Sequence, residues 1–239
     1  WLDQASAEQT VHAVSAMSAE EQARLLALLP AESAAEVLEV LPMVQAAEAI
    51  EALGAVDHDK AADILEELSS DERADVFAAM DDAKAQAILG ALPDEIADEV
   101  RRLSSYEEDA AGGLMLTEFL AFHDTMTVRD VLADMEENAQ RYRDYNIQYS
   151  YVVDPHGTLI GVIPIRRLLM APRGTPVEQV MVKDPVAVAD TTEFEDLQHV
   201  FDDNGFLALP VVDADGGLLG VVERSAVAEA AREDADDLY

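Results

Sequence analysis

No cysteine occurs among the 239 residues, which excludes a disulfide framework and any thiolate metal site. Lysine is scarce, with only Lys60, Lys84 and Lys183. No apolar run approaches the ~18–20 residues that cross a bilayer, and no signal peptide opens the chain. The chain begins at Trp1 rather than methionine, so it is read as a fragment or processed piece, and the missing span describes this stretch alone. No Walker-type or dinucleotide glycine loop is present. His12, His58, His123, His156 and His199 are dispersed without zinc spacing. No Ser/His/Asp arrangement stands out, and no nucleophile accompanies the paired acids. These absences read as a non-enzyme.

What is abundant is acid. Fifty Asp and Glu face fifteen Lys and Arg, a net charge of −35. Such a chain repels itself when compact, and repels nucleic acid and anionic lipid. Cations that screen or bind the carboxylates should help it fold. A solvated acidic surface adapted to high salt, which the lysine shortage fits, accounts for the same composition. Half of the residues are apolar, enough for a sizeable core in two domains or one large one.

From Met17 to Leu103 a unit of about a dozen residues recurs: helix, a turn with Pro, Ser, Gly or Asp, then helix. Ser18 with Glu21, and Ser69 with Glu72, have capping-box spacing. Leu25, Leu26, Leu28 and Leu29 are expected as one apolar face, as are Val76, Phe77 and Met80. Helices this short need stacking to be stable. Asp71 and Asp75 lie four apart on one helix face, and Glu36 projects from an earlier helix. Oxygen ligands of this kind suit Mg²⁺ or Ca²⁺; by spacing alone, a plain solvated helix face is the more ordinary reading.

Tyr106 to Met115, Tyr-Glu-Glu-Asp-Ala-Ala-Gly-Gly-Leu-Met, separates the helical half from short β-branched runs. Gly112-Gly113 is expected to make a sharp turn with backbone angles closed to other residues. Beyond it, Val152-Val153-Asp154 through Gly161-Val162 repeats as Val211-Val212-Asp213 through Gly220-Val221, at an offset of 59. Each copy reads strand, turn around Asp and Gly, strand, then helix. A further helix precedes each, Val128 to Glu137 and Glu193 to Asp203.

The repeated pattern resembles the cystathionine-β-synthase (CBS) module, a β-α-β-β-α unit that works in pairs. With the junction motif and the helical repeats, the chain resembles the cytosolic region of the MgtE magnesium channels. The resemblance implies an all-helical superhelical N domain over 1–112 and CBS units over 113–175 and 176–231. A connecting helix is expected to start within 232–239. It further implies a homodimer through the CBS pairs, a transmembrane pore after residue 239, and a place at the cytoplasmic face of the cell membrane. The implied function is Mg²⁺ sensing: divalent ions clamp the acidic faces together and the pore closes.

By the same resemblance the sensor acids are Glu36, Asp71 and Asp75 in the N domain, and Glu193, Glu195 and Asp202 in the second CBS unit. Glu229, Asp234 and Asp237 follow the last strand. Ala226 and Gly205 stand where the family carries acids, so Asp202, Asp203 and Glu223 are the available substitutes. Some CBS pairs hold adenosine phosphates. Tyr149 and Phe206 are placed to stack on a base and Arg166 to meet a phosphate, but Arg167 and Ala226 replace the aspartates that hold ribose. Two other readings stand beside the channel sensor: a soluble CBS adaptor for adenine nucleotide, and an acidic, salt-adapted scaffold.

Overall fold

The structure, a computed structural model, describes residues 12–143 and 145–236, with side chains followed to 232. The chain divides into two compact units, Trp1–Ser105 and Tyr106–Tyr239.

The first unit stacks short helices: α1 Ala19–Leu28, α2 Ala31–Glu39, α3 Met43–Gly54, α4 His58–Glu66, α5 Ser70–Ala78, α6 Asp82–Leu89 and α7 Asp94–Leu103. Starts are written locally. Ser18 and Glu21, and Ser69 and Glu72, form reciprocal capping boxes, which satisfy N–H groups that have no partner within a helix. Asp57 and Asp81 cap α4 and α6 by accepting from the Lys60 and Ala83 N–H groups. Pro30, Pro42 and Pro93 open α2, α3 and α7, where their fixed φ suits the turn into helix. Each helix then packs on the next but one: α1 on α3, α2 on α4, α3 on α5, α4 on α6, α5 on α7. Small core residues such as Ala34, Ala35, Ala46, Ala49 and Ala61 keep the spacing close.

Leu28 departs from the expected apolar face and is 84% exposed. Successive helical residues turn by about 100°, so a side chain two positions from buried Leu26 points away from it. Gln22 takes an inward place instead and is 2% exposed. Its amide donates to the Val14 carbonyl at 3.0 Å and to Gln45 Oε1 at 3.3 Å, which offsets burial of a polar group.

The second unit holds two small sheets. In the first, β1 Leu120–His123 runs parallel to β2 Tyr149–Val153, which is antiparallel to β3 Leu159–Pro164, and β3 is antiparallel to β4 Val182–Lys183. In the second, β5 Val188–Ala189 runs parallel to β6 Ala208–Val212, which is antiparallel to β7 Leu218–Glu223. Helices α8 Val128–Glu137, α9 Ile165–Met170 and α10 Val177–Val180 belong to the first copy and its exit. Helices α11 Phe194–Asp203 and α12 Arg224–Asp236 belong to the second. Both hairpins turn alike. Asp154 accepts from the His156 and Thr158 N–H groups, and Asp213 from those of Asp215 and Gly217. Gly157 and Gly216 supply φ of 84° and 83°, a region that favours glycine.

The two copies exchange edges. Leu116, on the way into the first copy, pairs with Val221 of β7 through bonds of 2.8 and 2.9 Å. On the way into the second copy, β4 pairs with β3 of the first. The hairpin tips also touch reciprocally, Leu159 N–H on Gly216 O and Leu218 N–H on Gly157 O. The pair is therefore one interlocked body.

The double glycine works differently from the sequence expectation. Gly112 and Gly113 both keep ordinary negative φ. Close approach demands them instead: a Cβ on Gly112 would lie 2.4 Å from the Tyr106 ring, and one on Gly113 2.3 Å from the Glu107 carbonyl oxygen. The junction is docked rather than free. Ala111 N–H donates to Thr192 O and Gly112 N–H to Asp190 O, both at 2.8 Å.

Candidate metal-binding faces and the CBS cleft

In the first unit, α2 carries Glu36 and Glu39, and α5 carries Asp71, Glu72 and Asp75. Desolvation, then the carboxylates of Glu72 and Glu36, push the Glu39 carboxyl above the usual carboxylate range. That mutual repulsion marks the two helices as one acidic face. Asp71 and Asp75 are half-buried and Glu36 is exposed. Glu39 and Glu72 belong to the face as well. The signal for Glu39 was its place three residues after Glu36, one turn along the same helix.

The Ser69 hydroxyl lies 2.6 Å from both Asp71 Oδ1 and Glu72 Oε2, and it has one proton to give them. The Glu72 N–H also donates to Asp71 Oδ1 at 2.8 Å. The start of α5 thus gathers carboxylate oxygens at the positively polarised end of the helix. Arg73, 4% exposed, points inward from the same helix. It donates to the Leu68 carbonyl at 3.1 Å and lies 3.7 Å from Glu99 on α7, and so holds the roll of α5.

In the second unit Glu193 is the N-cap residue of α11, with Glu195 in its first turn and Asp202 near its end; all three are exposed. Ala110 of the junction bridges to Glu193 through the backbone. Exposed Glu229 lies on α12, which packs against α11. Asp234 falls within α12, its side chain outside the described ones, and Asp237 lies outside the described residues. Among the described residues, no three His, Asp or Glu side chains converge closely enough to hold a metal ion. The acids form open faces.

The structure separates the nucleotide candidates. Tyr149 lines a small cleft with Glu118, Tyr151, Ala208 and Glu223, about 20 Å³ in volume. That is room for about one water. The Asn146 amide donates to Glu223 Oε2 at 3.0 Å and latches one copy to the other, and the Ser225 hydroxyl donates to the same oxygen. Burial, with Tyr149 and Glu223 nearby, holds the Tyr151 hydroxyl well above the usual phenol range. The Tyr149 hydroxyl accepts from the Leu207 N–H at 3.4 Å, next to Phe206. Arg224 clamps the Phe206 loop, donating to the carbonyls of Phe201, Asn204 and Phe206. Arg166 lines a different cavity, with Arg167 and Met170.

No helix among the described residues is long and apolar enough to cross a membrane. A family model described as the MgtE intracellular N domain matches residues 5–109, and a CBS domain model matches 111–174 and 177–233. The magnesium transporter MgtE of Thermus thermophilus is 41% identical over 124 residues, 52% of this chain and 27% of that protein. That of Enterococcus faecalis is 34% identical over 128 residues, 54% of this chain and 28% of that protein. The chain thus matches only about a quarter of the length of these curated relatives. A crystal structure of the cytosolic domain of the Mg²⁺ channel MgtE in complex with ATP is similar at 32% identity over 96% of both chains, with a TM-score of 0.68. The soluble part of a magnesium transporter is similar at 25% identity, covering 95% of this chain and 94% of that one, with a TM-score of 0.71.

Proposed function

This chain belongs to the MgtE family, as a helical N domain followed by a CBS pair, and from that premise we propose that it is the Mg²⁺-sensing regulatory part of a magnesium channel. The observation that carries the reading is the acidic face of α2 and α5, where Asp71 Oδ1 and Glu72 Oε2 both lie 2.6 Å from the one Ser69 hydroxyl, and where desolvation, then Glu72 and Glu36, push the Glu39 carboxyl up. Such a face is under electrostatic strain that a hard cation relieves, and carboxylate oxygens are the ligands Mg²⁺ prefers.

Glu36, Asp71 and Asp75 are the N-domain ligands in this proposal. Glu193, Glu195, Asp202, Glu229, Asp234 and Asp237 serve the CBS pair. Bound Mg²⁺ supplies the positive charge that lets acidic faces come together. Without it, the carboxylates repel and the compact state loses population, an ordinary two-state linkage. The compact state closes the pore and the repelled state permits opening. Gly205 and Ala226 contribute no carboxylate, so Asp202, Asp203 and Glu223 carry that part. The pore lies in a membrane domain after residue 239, α12 leads toward it, and the CBS pairs dimerise. The chain itself regulates and is not an enzyme.

ATP is the lesser ligand in this proposal. The relative with a TM-score of 0.68 was crystallised with it. In this chain the Tyr149 cleft is latched by Asn146 and Glu223, and nucleotide would have to break that bond to enter. Calorimetric titration of Mg²⁺ at fixed ionic strength tests the main reading. Saturable heat that weakens in Asp71→Asn/Asp75→Asn supports it. Heat that is absent, or the same in the variant, contradicts it.

A further inference from the structure

We propose that Arg73 is a positioning residue for the acidic face of α2 and α5, and that it sets the preference of that face for Mg²⁺ over Ca²⁺; the proposal rests on the sensing reading above. Among the described residues Arg73 is the only charged residue that is buried. Arg24, Lys84, Arg101 and Lys183, by contrast, keep half or more of their side chains exposed in their ion pairs. A buried guanidinium is costly unless its donors are used. This one sits on α5, the helix that carries Asp71 and Asp75.

Arg73 lies midway in sequence between these two acids. A two-residue step along a helix turns by about 200°, so the guanidinium leaves α5 on the side opposite to both carboxylates. Burial agrees: Arg73 is inside, and Asp71 and Asp75 are half-buried. Its Nη2 donates to the Leu68 carbonyl, just before the cap of α5, at 3.1 Å. Its Nη1 lies 3.7 Å from Glu99 Oε2 on α7. A planar fork held in two directions fixes rotation as well as position. A second tie joins the same helices, since the Ser104 hydroxyl past the end of α7 donates to the Ala74 carbonyl at 3.4 Å.

The roll of α5 decides where its carboxylates stand. They ride about 5–6 Å from the helix axis, so a roll of about 20° would carry each by about 2 Å. That is the length of an Mg–O bond. Mg²⁺ demands near-ideal octahedral geometry at such short distances, whereas Ca²⁺ accepts longer bonds and irregular shells. A helix locked in roll therefore favours the smaller ion, and a loose one favours the larger. Ser69 fixes Asp71 Oδ1 from the same end of α5, and Arg73 fixes the helix beneath it.

The test is calorimetric titration of the whole chain with Mg²⁺ and, separately, with Ca²⁺ at fixed ionic strength. The variant is Arg73→Met/Glu99→Gln, which removes the pair together, leaves the net charge unchanged and keeps apolar bulk inside. Mg²⁺ affinity should fall roughly tenfold or more, as when a residue behind a metal ligand is lost. Ca²⁺ affinity should fall much less, so the preference between the two ions narrows. Arg73→Lys keeps the charge but gives up the fork, and its preference should lie between the two. Melting temperatures check folding, and Arg73→Lys decides the matter if the double variant does not fold. Unchanged affinity for both ions overturns the proposal. So does an equal loss for both, which a merely structural role would give. A wild-type chain with no saturable Mg²⁺ binding is a different failure: it removes the sensing reading, and this inference with it.

Discussion

Met115 packs into the space that Gly220 leaves by having no side chain; a Cβ there would lie 2.8 Å from Met115 Sδ and 2.7 Å from the Leu116 carbonyl oxygen. The other copy repeats the contact, with Met181 against Gly161. These two glycines are the second glycines of the repeated motif. Their role is to let the exchanged edge segments lie on the sheets.

Gly220→Ala is therefore expected to destabilise the CBS pair by about 1–3 kcal/mol, the usual cost of overpacking. The backbone oxygen of Leu116 cannot swing aside as a methionine can. Chemical denaturation of the variant reads the loss. An unchanged midpoint would contradict the edge exchange.

Glu51 ties α3 to the α5–α6 turn, accepting from the Asp81 N–H at 2.6 Å and pairing with Lys84. Burial raises its carboxyl, but the Lys84 ammonium and the Asp81 N–H overcome that and hold it below the usual range. A depressed acid contributes stability above its unfolded-state pKa and loses it as pH falls through the folded one. Glu51→Gln is expected to cost about 1.5–3 kcal/mol at neutral pH, as for hydrogen bonds to charged groups. The cost should vanish below the carboxylate range. Thermal melts of both proteins across pH check it.

Ser69 serves both the cap of α5 and the Asp71 carboxylate. Ser69→Ala is expected to cost about 1 kcal/mol of stability and also to weaken Mg²⁺ binding, because Asp71 loses its anchor. Ser18→Ala breaks the equivalent box on α1 and should cost similar stability with Mg²⁺ binding unchanged. Comparing the two by melting and calorimetry separates capping from positioning.

The parts of the fold set by short-range chemistry were legible in the sequence. Both capping boxes and the twin Asp-Gly hairpins are local patterns. Leu28 was misplaced because four leucines crowded into five positions cannot all face inward on a 3.6-residue turn. The edge exchange was missed because the repeat was read at one offset. Gly220 follows Gly161 by 59 positions, but Met181 follows Met115 by 66. The first copy has a longer connection from α8 to β2 than the second has from α11 to β6, which shifts the register. Leu114-Met115-Leu116 against Val180-Met181-Val182 was the available signal. In the candidate site, Asp71 and Asp75 were visible as a helical pair. The contribution of Glu72 to the charge on Glu39 needed α2 and α5 in place. Arg166 was assigned from its motif alone, and only the folded chain shows which cavity it lines.

The most direct test of Mg²⁺ sensing is small-angle scattering during a Mg²⁺ titration, matched against KCl of equal ionic strength. The account predicts a saturable fall in radius of gyration with Mg²⁺ alone, and a higher midpoint in Asp71→Asn/Asp75→Asn. Equal contraction in KCl, or a midpoint unmoved by the double substitution, would contradict it.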